Sequence, residues 1–215
     1  MNACSETSWK EEVLLHDGSK IVVTRSQSRG GGGEIGQSPI KEQTITFSLP
    51  GSNKPVSWKD DFSKDVGHSN FDLLALHILN GTAYITTSAY GCLAYNKWGR
   101  PNPPYIFFKH DGNAWQRIAL AEFPAAFKDI NLVVNASAHE KKLVAETQKS
   151  GFVSAASIKE LNSSMTQKED KSIVREAVKH EGPEGCPVMV RIEGGWQSPG
   201  GFKAPISPST SNNKK

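Results

Sequence analysis

The side chains best able to do chemistry are concentrated between residues 95 and 105. Tyr95, Asn96, Lys97, Trp98, Arg100, Asn102 and Tyr105 bring phenols, an indole, cations and amides into one short segment. Such a set can stack on a flat ligand, hold a carboxylate or anchor a protein partner, and aromatic and Arg side chains dominate binding hot spots. Pro101, Pro103 and Pro104 stiffen the segment, which lowers the entropic cost of binding with a loop. The competing reading is structural: Trp98 and Tyr105 cap the end of a sheet while the prolines fix a crossover.

The chain has three cysteines, Cys4, Cys92 and Cys186. None has CxxC spacing, so neither a zinc site nor a redox dithiol is expected. In an exported chain an odd count leaves one cysteine without an internal partner. Cys4, at a flexible end beside small residues, is the natural one to be left over. Cys92 and Cys186 are then expected to pair, closing a loop of about 95 residues and tying the C-terminal portion to the base of the 95–105 segment.

Catalytic signatures are missing, and no catalytic residue, metal ligand set or cofactor is expected. Six histidines are scattered, none in an HExxH pair. There is no GxSxG and no cysteine with an evident histidine partner. Asp60, Asp61, Asp65 and His68 cluster, but without EF-hand spacing and with Lys59 and Lys64 in competition, so they read as a solvated acidic turn. A hydrolase, if the chain is one, would pair His68 with Asp61 or Asp65. Gly30 to Gly33 lacks the Gly-Lys-Ser/Thr of a phosphate cradle and is followed by Glu34, so it reads as a surface loop. With 25 basic against 22 acidic side chains, net charge +3, the chain lacks the clustered basic face of a nucleic-acid-binding protein. Its longest apolar stretch, Phe71 to Leu79, is interrupted by Asp72 and His77 and is too short for a membrane helix, which needs about 20 residues.

The elements that must position these residues read as hairpins. Apolar and β-branched runs flank Asp17-Gly18, Pro50 to Asn53, Asn80-Gly81 and Asp111-Gly112, and Asn-Gly and Asp-Gly supply the positive φ of tight turns. Four hairpins are too few for a closed propeller. A mainly β fold is expected: an antiparallel meander, sandwich or partly open barrel, with strands from Val13 to about Val134 and helices only after Asn135. Ser137 with Glu140 reads as a capping box for a helix stopped by Gly151, and Ser157 with Glu160 as another for a helix near Ile158 to Met165. Val188 to Ile192 reads as a last strand. The chain thus divides into a flexible segment over 1–8, one β-rich domain over 9–197 with a helical portion at about 136–180, and a disordered Pro/Gly/Ser/Asn-rich tail over 198–215.

Two stretches resemble a proteobacterial family many of whose members read as exported lipoproteins. They are Trp9-Lys10-Glu11-Glu12-Val13-Leu14-Leu15-His16-Asp17-Gly18 and Gly91 through Tyr105, with its YNKWGRPNPPY core. The likeness runs from about Trp9 to Trp196 and implies a compartment rather than an activity. Met1-Asn2-Ala3-Cys4-Ser5 also looks like the end of a lipobox, with Cys4 as the lipidated residue and Ser5 favouring the outer membrane. The expectation is therefore a non-enzymatic envelope protein of the periplasm or the inner face of the outer membrane. It would bind a protein or small ligand through the 95–105 segment and meet the membrane only through a lipid at Cys4. If Cys4 is not a lipobox remnant, the cytoplasm is the alternative. A hydrolase is one rival; a carbohydrate-binding module, which would need Trp98 and Tyr105 coplanar and exposed, is another.

Overall fold

The structure is a computed structural model that describes residues 6–30, 38–52, 54–179 and 185–199. Cys4, Gly31 to Gly33 with Glu34, and the tail from Gly200 onward lie outside the described residues. The chain is mainly β, as the hairpin pattern requires. Strands β1 (Glu6–Leu14), β2 (Lys20–Arg29), β3 (Ile40–Ser48) and β4 (Pro55–Asp60) form one antiparallel meander. Strands β5 (Phe71–Leu79), β6 (Thr82–Ala89), β7 (Ile106–His110) and β8 (Trp115–Ile118) form a second. Neither sheet closes into a barrel. The strands start earlier than expected: β1 begins at Glu6, within the segment read as flexible.

Side-chain alternation sets the layers. On the first sheet Val13, Val23, Ile45, Phe47 and Trp58 point inward while their neighbours face water. They meet Leu73, Leu76, Ile78, Ile85 and Ile106 of the second sheet in one core, and Trp58 packs against Phe71 and Phe108. The result is a face-to-face sandwich. The second sheet is apolar on both faces because both are covered. Its outer face, carrying Leu74, Tyr84 and Phe107, is roofed by Phe123, Phe127, Val134 and Ile173. A register shift between Leu73 and Ala75 lets β5 serve both faces. At Asn80-Gly81 the φ values are 51° and 75°, the pair of positive angles that the β5–β6 hairpin needs.

The helices depart from expectation at one place that matters. Helix α1 (Gly91–Lys97) stands inside the segment expected to be irregular, well before Asn135. Residues 119–134, expected to continue as strand, instead form a roof of turns. Helices α2 (Glu140–Ser150) and α3 (Ala155–Ser163) follow, and Gly151 ends α2 with φ 86° as expected. The caps differ. Ser137 lies in a short 3-10 turn and bonds Asn135, and α2 starts from His139 without a side-chain cap. Helix α3 is capped by Ser154, whose hydroxyl accepts from the Ser157 amide, so Ser157 sits one turn inside. Both helices pack on the edge of the first sheet through Trp9, Val133, Leu143, Val153 and Ile158. Strands β9 (Val190–Ile192) and β10 (Gly195–Gln197) make a closing hairpin.

Candidate functional site

The 95–105 segment is drawn inward. Helix α1 begins after Tyr90 and ends in Gly99 and Arg100, at φ 86° and 51°. Tyr95 is buried in the sandwich core, with Arg100 stacked 4.8 Å over its ring. Trp98 packs on Phe71 with ring centroids 4.6 Å apart and donates to Asn70 Oδ1, and Arg117 covers it. Tyr105 is buried and its hydroxyl reaches the carbonyls of Glu169 and Ser172. Trp98 and Tyr105 therefore form no exposed platform.

The polar members of the segment hold the C-terminal strand of chain in place. Cys92 and Cys186 are joined by a disulfide with Cα atoms 5.2 Å apart, as the cysteine count implied. Beside it, Asn96 donates to Pro187 O and accepts from the Met189 amide. Arg100 donates to Pro187 O and Cys186 O. Asn102 makes a two-way bond with Val178. Lys97 reaches Ser63 and Asp65, and Asp65 also pairs with Arg191 and accepts from Trp196 through its backbone carbonyl. Asp65 is held below the usual carboxylate range by the Arg191 contact. A disulfide is at home in an oxidising compartment. Among the described residues no helix is long and apolar enough to cross a membrane.

The other acidic cluster is dispersed. Asp61 pairs with Lys59, Asp65 with Lys97 and Arg191, and Asp60 is buried. Asp60 accepts from Asn70, from the Phe71 amide and from Gln43. Burial raises its pKa and those bonds oppose the rise. His68 bonds Ser69 O and sets its ring edge-on to Tyr90, so neither Asp61 nor Asp65 orients it. Among the described residues no group of three or more His, Cys, Asp or Glu side chains could hold a metal ion. His77 is buried, stacked on Phe127 at 4.6 Å and bonded to Asp129 O.

What the sequence reading missed is a cleft of about 400 Å³ on the outer face of the second sheet, against the inner edge of the 95–105 segment. Its floor is the cross-strand pair Asp72 and Ser88. Tyr90, Tyr95 and Pro104 form one wall, Val134 and Asn135 another, and the stretch from Met165 to Asp170 the third. The Asp72 carboxylate makes no hydrogen bond or ion pair among the described residues, and it is partly buried. Burial pushes it up to about 7; Arg25 pulls it down, while Asp170 and Asp60 push it further up. Tyr90 is raised as well, by burial and then by the Asp72 charge. One signal was visible beforehand: an acid standing inside the apolar run of β5. The partner walls come from segments far apart in the chain, and nothing local announces them.

No protein-family model, curated protein or solved structure matches the chain.

Proposed function

We propose that the protein is a non-enzymatic binding protein of the cell envelope that takes a small ligand into the cleft beside the 95–105 segment. The observation that carries the reading is Asp72: a carboxylate without a partner among the described residues, on the floor of a cavity large enough for a small organic molecule. Holding an acid there costs stability, and that is expected where a ligand completes the set of contacts. The segment contributes Tyr95 and Pro104 to the wall, and the neighbouring Cys92–Cys186 disulfide and the Arg100 bonds to Cys186 and Pro187 hold that wall. The disulfide and the lipobox-like Met1 to Ser5 support a periplasmic location with an anchor at Cys4.

Native mass spectrometry on protein isolated from the envelope of its host tests the reading. The wild type is expected to carry a small-molecule mass that Ser88→Trp, which fills the cleft, loses. Intact mass and fractionation of the same sample should show a lipidated Cys4 and membrane association. A ligand-free wild type that no small-molecule library stabilises thermally speaks against the reading.

A hydrolase is the second reading, and the same acid favours it. A carboxyl that titrates near neutral pH in a cleft, with another acid nearby, suits general acid–base work. Turnover of a chromogenic ester or glycoside, abolished by Asp72→Asn, would replace binding with catalysis.

A further inference from the structure

The cleft carries more information than its size. Its floor presents one carboxylate with no hydrogen bond or ion pair among the described residues, and the cations acting on Asp72 and on its neighbour Tyr90, Arg25 and Arg29, are already committed. Arg25 is bound to Glu11 and to the Val133 carbonyl, and Arg29 to Glu140, Ser38 O and Ser137 O. The other charged groups acting on Asp72 are Asp170, from the 3-10 turn Lys168–Asp170, and Asp60 from β4, both of the same sign. The charge that a ligand meets on the floor of the cleft is that of Asp72 itself, in a chain that as a whole carries a net charge of +3. Around the acid the lining turns apolar and aromatic: Met165, Pro104, Val134, and the ring of Tyr90. Neutral acceptors and donors, Ser88, Asn135 and Gln167, stand at the sides.

We infer that the ligand of this cleft is a small organic cation, a primary ammonium carried on an apolar or aromatic body, seated with its charge on Asp72. The inference rests on the binding reading above. An anion would meet the like charge of the Asp72 carboxylate at the floor. A neutral polyol would leave the carboxylate without a counter-charge and the Met165 and Val134 side dry and unused. An ammonium supplies three donors and a full charge to a partly buried carboxylate, where such a pair is stronger than in open water. The apolar body then covers the wall of Met165, Pro104 and Val134.

Three isosteric probes separate the classes: 2-phenylethylamine, 2-phenylethanol and phenylacetate, with a methyl glucoside as the neutral polyol. Binding is read by calorimetry and by thermal shift at pH 8 on the full chain with its disulfide intact. The amine is expected to bind at least tenfold tighter than the alcohol, with no binding of phenylacetate. Asp72→Asn should erase the preference for the amine, and Ser88→Trp should remove binding of every probe. Should Asp72→Asn fail to fold, the wild type compared at pH 8 and pH 5 reads the same dependence: protonating Asp72 should weaken the amine and leave the alcohol unchanged. Alcohol or glucoside bound as tightly as the amine overturns the cationic class and leaves the cleft as a binding site. Amine binding that survives Ser88→Trp, or no binding by any probe together with no host-derived ligand mass, overturns both.

Discussion

Asp72 and His77 stand on the same strand and are held away from their ordinary protonation in opposite directions. Burial raises the Asp72 carboxyl from 3.8 to about 7, and burial lowers the His77 imidazole from 6.5 to about 4 against its bond to Asp129 O. Their effects on stability have opposite signs. Between about pH 4 and 7 the folded protein keeps on Asp72 a proton that the unfolded chain has released, so stability falls as pH rises. Between about pH 4 and 6.5 the unfolded chain binds a proton at His77 that the folded protein lacks, so stability rises with pH. The two slopes offset each other, and the wild type is expected to vary little from these groups over that range. Asp72→Asn removes the falling slope. Its unfolding free energy should climb from pH 4 to 6.5, and at pH 8 it should exceed that of the wild type by up to ~4 kcal/mol, reduced by water in the cleft. Urea denaturation at pH 4, 6 and 8 measures this. A variant less stable than wild type at pH 8 would mean that the carboxylate is paired and the cleft is not poised for a ligand.

At the scale of elements, α1 and the chain around Cys186 act as one clamp. Trp98→Ala removes a ring seated on Phe71 and the donor to Asn70, and should cost ~2–4 kcal/mol. Arg100→Ala removes a donor from the Cys186 and Pro187 carbonyls beside the disulfide and uncovers one face of Tyr95, and should cost about 1–2 kcal/mol. Both losses would appear in chemical denaturation, whereas a segment devoted to an external partner would lose affinity and keep its stability. Cys92→Ser with Cys186→Ser should lower stability by about 4–5 kcal/mol in the chain-entropy account, since 94 positions separate the cysteines. The hairpins behind this clamp were legible because Asn-Gly and Asp-Gly turns are local and alternation is a short-range signal. Helix α1 was not: seven residues without a side-chain cap fall below the length at which periodicity speaks, and tertiary contacts hold it. The roof formed by residues 119–134 carries Phe123, Phe127 and Val134, and sends Leu132 into the sandwich core, at no regular spacing, so its burial could be read only once the sheet beneath was known. The cap assigned to Ser137 moved because Arg29 takes Glu140 as an ion-pair partner and Ser137 turns to Asn135.

Across the whole molecule, the helical layer is joined to the sandwich through a buried pair. Glu11 and Arg25 lie 2.9 Å apart with almost no exposure. The Glu11 carboxylate also accepts from the Trp9 indole and the Val133 amide, and Arg25 donates to Val133 O and lies over Trp9. A second tie runs along the free edge of β1, where Val153 exchanges backbone bonds of 2.8 Å with Lys10 and Glu12. The pair thus links β1, β2 and the chain that enters the cleft wall at Val134. Removing one member of a buried, fully bonded pair strands the other charge, so Glu11→Ala should cost about 3–5 kcal/mol. The loss should be uneven. Amide exchange in α2 and α3 should quicken toward local opening, while Val23 and Ile45 in the sandwich core keep their protection until global unfolding. Glu11→Met with Arg25→Met removes both charges and should recover much of the stability, because an apolar replacement leaves nothing uncompensated. If Glu11→Ala stays within about 1 kcal/mol of wild type, or if all amides open together, the pair does not join the layers and the helices are held by the Val153 edge and apolar packing alone.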